Sequence, residues 1–118
     1  MKILMVEDDL DFSGSAKFLF SDHQFKAVTN VQDAVSEILN DKPDLIFADW
    51  RLGEGTNSLK VIEMAMGQKI QIVVQTATPE DLRFLKGKVK IFDKRGHYAD
   101  EVDKFLIGLV GKGKRERK

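Results

Sequence analysis

Short apolar runs and stretches of helical spacing alternate along this chain. The runs at residues 2–6, 25–29, 45–48, 70–74 and 89–92 have the length and β-branched or aromatic content of strands. Between them lie amphipathic stretches. Phe12, Ala16 and Leu19 mark a first helix, with Gly14 inside it. Val31, Ala34, Val35, Ile38 and Leu39 mark a second, with Asn30 as N-cap, Asp33 three residues on and Pro43 beyond its end. Leu59, Ile62 and Met66 mark a third, with Ser58 as expected cap and Gly67 as terminator. Thr78-Pro79-Glu80-Asp81 reads as a fourth helix start, and Gly87 keeps that helix short. Val102, Phe105, Leu106, Leu109 and Val110 mark the last.

Five strands alternating with five helices predict an α/β fold, a doubly wound parallel sheet with both faces covered. Residues 3–6, 45–48 and 70–74 are almost wholly apolar, as central strands must be. Residues 25–29 and 89–92 contain lysines, as edge strands do. The strand order that follows is 2-1-3-4-5, a flavodoxin-like (βα)5 arrangement in a single domain. Right-handed crossovers put helices 1 and 5 on one face and helices 2, 3 and 4 on the other. Residues 1–111 are expected to form the domain, and the basic, glycine-containing segment 112–118 a flexible tail.

Composition narrows this picture rather than changing it. At 118 residues the chain suits one domain with a real core. It has no cysteine, so thiolate and disulfide chemistry are excluded. It has neither a membrane-spanning run nor a secretory leader pattern, so a cytoplasmic location is expected. The formal net charge is zero, but residues 1–49 carry ten acids and four bases, and residues 50–118 nine acids and fifteen bases. Such blocks are usually solvated faces; the sharper reading is a basic surface around Arg83, Lys86, Lys88, Lys90 and Arg95.

The chemistry lies where the strands end. The first run leads into Glu7-Asp8-Asp9, the third into Asp49, the fourth into Thr76 and the fifth into Lys94. In a parallel sheet these endings share one rim, where ligands bind. Clustered carboxylates raise one another's pKa unless a cation compensates, and an all-oxygen donor set suits Mg²⁺. Each residue also has a plainer reading: the acids as helix caps, Asp49 as a turn residue, Thr76 as a strand end, Lys94 as a surface charge.

Together these residues resemble the receiver domain of two-component response regulators, over nearly the whole chain. Val6-Glu7-Asp8-Asp9 resembles the family's acidic pocket, Pro43-Asp44-Leu45-Ile46-Phe47-Ala48-Asp49 the strand leading to its phosphorylated aspartate, Thr76-Ala77 its switch hydroxyl and Lys94 its lysine. The resemblance implies that Asp49 accepts a phosphoryl group from a histidine kinase or phosphotransfer protein. It implies Mg²⁺ held by Asp8, by Glu7 through water, by Asp49 and by the Arg51 backbone carbonyl. It further implies that Thr76 and Lys94 contact the phosphoryl oxygens, and that Arg51 and Thr78 tune the lifetime of the modified state.

Departures from the family pattern are expected on its signalling surface rather than on the acidic site. Arg95 follows the lysine where the family usually has proline, Gly53 follows Leu52 where proline is common, and Ile91 occupies the aromatic switch position. Phe92 is adjacent but should face the other side of its strand. The expected function is that of a stand-alone receiver, without a DNA-binding domain or membrane attachment. It would signal by phosphorylation-dependent binding of a protein to the face formed by helix 4, strand 5 and helix 5. It would act as a phosphoacceptor assisting its own phosphorylation and dephosphorylation rather than as a turnover enzyme. The alternative is a constitutive receiver-like interaction module. A metal-dependent phosphatase of small substrates is disfavoured, since no glycine-rich phosphate loop is present.

Overall fold

The computed structural model describes residues 1–53 and 55–116, with side chains through residue 109. The strands are β1 (Lys2–Val6), β2 (Gln24–Val28), β3 (Leu45–Asp49), β4 (Gln71–Thr76) and β5 (Lys90–Asp93). All pairings are parallel, in the order β2-β1-β3-β4-β5. The burial gradient follows that order. Every residue of β3 is buried, whereas β2 and β5 each bury one. The lysines of β2 and β5 thus sit on edge strands, where the pattern of the sequence put them.

The α-helices are α1 (Leu10–Leu19), α2 (Val31–Asp41), α3 (Leu59–Gly67) and α4 (Tyr98–Glu116). One core, on the face covered by α2 and α3, joins Leu4, Val6, Ile46 and Val74 to Ile38, Ile62 and Leu82. The other, on the face covered by α1 and α4, joins Met5, Phe47 and Phe92 to Phe20, Tyr98 and Val102. Its aromatic rings interlock, Phe20 against Phe47 at 5.0 Å and Phe92 against Phe105 at 5.6 Å. Ile91 packs against the first core and Phe92 lies in the second, as strand alternation requires.

Two local expectations are corrected. The segment expected as a fourth α-helix is a 3-10 helix, Pro79–Leu85, kinked at Leu82, and Thr78 makes no side-chain cap bond. Lys86, with ψ 129, leaves the helical region and Gly87 follows with φ +83, before an α-helix can propagate. At α3 the Ser58 hydroxyl caps nothing and is buried without a partner; Asn57 Oδ1 instead accepts from Leu59 N at 3.0 Å. The other caps form: Asn30 accepts from Asp33 N, and Asp9 from Asp11 N and Phe12 N. Helix α4 runs to Glu116. Residues 117–118 of the expected tail lie outside the described residues.

Candidate functional site

Register places the acidic residues. Val6 pairs with Ala48, so Glu7 emerges beside Asp49, and Asp49 pairs with Gln75 on β4. Strand alternation turns Glu7, Asp49 and Gln75 toward the same face, that of α1 and α4. Lys94, just past β5, closes the row: its Nζ donates to Glu7 Oε1 at 2.7 Å and to Asp49 Oδ2 at 3.3 Å.

The acidic trio after β1 divides its labour. Asp9 caps α1, so the capping role holds for that residue. Glu7 is 1% exposed, and its Oε2 accepts from Asp9 N at 3.2 Å. Asp8 is exposed at the mouth. Glu7, Asp8 and Asp49 each offer an oxygen within 4.8 Å of the others. Gly53, a departure expected on the signalling surface, lies instead beside Asp8 of this acidic group. It has φ +80, and a Cβ there would meet Asp8 Oδ2 at 3.1 Å.

Two carboxylates buried this closely repel. Burial first, then Glu7, pushes the Asp49 carboxyl up to about 7, while Lys94 pulls it down. Burial alone would lower the Lys94 pKa, but Glu7 and Asp49 outweigh it, so the ammonium is held charged. Lys94 also lies over the Phe12 ring, 4.1 Å from its centroid. A single ammonium thus compensates two carboxylates, with Asp8 a third. This hard, oxygen-only, under-compensated donor set fits a small divalent cation such as Mg²⁺.

The remaining predicted residues make other contacts. Thr76 is buried one register position beyond Gln75. Its hydroxyl accepts from Thr78 N at 3.0 Å and lies 3.3 Å from the Thr78 hydroxyl, while Lys94 is the group that hydrogen-bonds Asp49. The Arg51 guanidinium reaches over to Asp81 at 2.6 Å, tying the loop after β3 to the 3-10 segment. Ile91 is half-buried. Of the basic residues expected as a surface, Arg83, Lys86, Lys88, Lys90 and Arg95 are all exposed. Arg95 is spent on Asp93 at 2.9 Å and Glu80 at 3.8 Å.

Gln75 and Tyr98 escaped the sequence reading. Gln75 is wholly buried; its Nε2 lies 3.4 Å from Glu7 Oε1, and its Oε1 accepts from the Tyr98 hydroxyl. The available signal was an amide inside an otherwise apolar central strand, which must find partners when buried.

A parallel sheet ordered 2-1-3-4-5 with an acidic pocket and a lysine at its carboxyl rim defines a class of fold, and comparison puts a family beside it. The chain is similar to solved response-regulator receiver domains. With the PhyR receiver domain of Erythrobacter litoralis it shares 23% identity, covering 91% of this chain and 87% of that one, at a TM-score of 0.76. A CheY-like receiver domain from Methylobacillus flagellatus gives 18% identity, 90% and 95% coverage and a TM-score of 0.76. NtrX from Brucella abortus gives 20% identity and a TM-score of 0.75, covering 98% of this chain but 28% of that one. At these identities the likeness is one of fold. No protein-family model and no curated protein matches the sequence. Among the described residues no helix is long and apolar enough to cross a membrane.

Proposed function

We propose that this chain acts as a receiver that accepts a phosphoryl group on Asp49 and signals by binding a protein in that state. The observation that carries the reading is the Lys94 ammonium bridging Glu7 and Asp49 at 2.7 and 3.3 Å beside exposed Asp8. The receiver fold favours a histidine kinase or phosphotransfer protein as donor. An Asp49 carboxylate oxygen attacks the phosphorus of a phosphohistidine; the P–O bond forms, the P–N bond breaks, and the imidazole leaves with a proton. Burial holds Asp49 in one orientation, and Lys94 keeps a positive charge where the transferring oxygens become more negative. Glu7, Asp8, Asp49 and the Arg51 carbonyl are the residues that would hold Mg²⁺. Bound there, the cation supplies charge neutralisation for the phosphoryl oxygens. Thr76 would turn from Thr78 to a phosphoryl oxygen, and Arg51 and Thr78, at the lip, would govern water's access to the acyl phosphate and so its lifetime.

Trp50, next to Asp49 and edge-on to Phe84 at 5.6 Å, provides the test. Mg²⁺ with beryllofluoride is expected to change its emission in the parent protein and not in Asp49→Asn. Unchanged parent emission, with no phosphorylated species after treatment with a small phosphodonor, would overturn the reading.

Ile91 favours a second reading. An aliphatic side chain, half-buried at the position of the family's aromatic switch, offers no ring to rotate. A constitutive interaction module would bind its partner equally well as wild type and as Asp49→Ala. The receiver that switches would not.

A further inference from the structure

Gln75 has no part in the phosphoryl chemistry, yet it fills a fully buried position in β4 that valine or leucine would fill without a polar cost. What it does there is dictated by its neighbours. Lys94 and Asp9 N donate to the two Glu7 oxygens, and the amide turns its NH₂ to Glu7 Oε1, at 3.4 Å. That leaves the amide oxygen facing Tyr98, whose phenol is kept protonated by burial and by the Glu7 and Asp49 charges, and so donates. The phenol itself is fixed by the Phe12 ring at 5.1 Å and the Phe92 ring at 6.3 Å. Tyr98 is the first residue of α4. A continuous buried line therefore runs from the acidic pocket to the start of the C-terminal helix, through two side chains.

Among the described residues Glu7 accepts from Lys94, Asp9 N and Gln75. Lys94 is shared with Asp49, so a cation arriving there competes with it for the carboxylates and a phosphoryl group competes for the ammonium. Gln75 is tied to α4 instead. A change in the charge or position of Glu7 must then be met at Gln75 and, because the amide is held at both ends, at Tyr98. Ile91 lies against the opposite core and takes no part in this line.

We infer that Gln75 and Tyr98 are positioning residues for the acidic pocket, the amide orienting Glu7 and the phenol orienting the amide, so that occupation of the pocket is transmitted to the first turn of α4. The inference rests on the reading of that pocket as a divalent-cation and phosphoryl site. Its test uses the fact that the chain has one tyrosine and one tryptophan. The full chain, carrying ¹³C-labelled tyrosine, is titrated with MgCl₂ alone. Trp50 emission reports occupation and the Tyr98 ring resonances report the relay. Both signals should move with one midpoint. Gln75→Leu should leave the Trp50 response, raise its midpoint about tenfold, as loss of an outer partner of a metal ligand does, and silence the Tyr98 response. Tyr98→Phe, which removes only an oxygen, should raise the midpoint roughly threefold, the scale of one hydrogen bond. A Trp50 response without a Tyr98 response in wild type, or variants with the wild-type midpoint, overturns the relay and leaves the pocket standing. No response from either probe overturns both.

Discussion

The acidic corner made by β1 and β3 and the segment from Thr76 to Tyr98 meet at the same pocket, but they are built on different terms. At the corner the backbone belongs to central strands, Glu7 and Asp49 are 1% and 8% exposed, and both Glu7 oxygens have donors. The other segment contains a kinked 3-10 helix, a four-residue edge strand and an Arg95 turn in which Arg95 N donates to Asp93 Oδ1 at 2.8 Å. Proline at that position could not make this bond. Glu7 and Asp49 are held by burial at the ends of central strands, whereas the turn after β5 rests on short-range bonds.

The comparison breaks most visibly at Lys94. Lys94→Ala leaves Glu7 and Asp49 buried without their cation, and denaturant unfolding is expected to show a loss of about 3–5 kcal/mol. A loss under ~1 kcal/mol would mean that the corner relaxes to admit water. Next comes the contrast between adjacent residues of β5. Phe92→Ala opens a void in the aromatic core and is expected to cost about 3–4 kcal/mol, against roughly 1–2 kcal/mol for half-buried Ile91→Ala. Equal losses would erase the distinction between the two sides of the strand.

Asp49→Asn sharpens the comparison through pH. The folded protein holds the Asp49 carboxyl up to about 7, above its ordinary value of 3.8. The fold therefore binds that proton more tightly than the unfolded chain does. Its stabilising effect is complete below pH 3.8 and is lost as pH rises through about 7. The amide variant stays neutral, so its melting temperature should rise above wild type by a margin that grows across this window. A margin independent of pH would show that the carboxyl titrates normally. The smallest effect belongs to the lip: Arg51→Ala, which breaks an exposed pair with Asp81, should leave the melting temperature unchanged while altering the decay of the phosphorylated form.

Strand order and helix sides were legible in the chain because two-sided burial writes itself as unbroken apolar runs such as 45–48, and edge position as interspersed lysines. The convergence of Glu7, Asp49 and Lys94 was legible for the same reason, as the rim of a parallel sheet collects strand ends. Local chemistry misled where tertiary contacts chose between equivalent partners. Thr78-Pro79 has the composition of an α-helix start, but the stretch before Gly87 is too short, and the Thr78 hydroxyl engages Thr76. Asn57 rather than Ser58 bonds the start of α3. The Gln75–Tyr98 bond joins residues 23 positions apart and depends on how α4 settles on the sheet, which no local pattern encodes.

That Asp49 is the phosphoacceptor of this corner is tested most directly by intact-mass spectrometry after incubation with acetyl phosphate and Mg²⁺. The account predicts one added phosphoryl group in the parent protein and none in Asp49→Asn. A parent protein that stays unmodified, or an asparagine variant modified to the same extent, would contradict it.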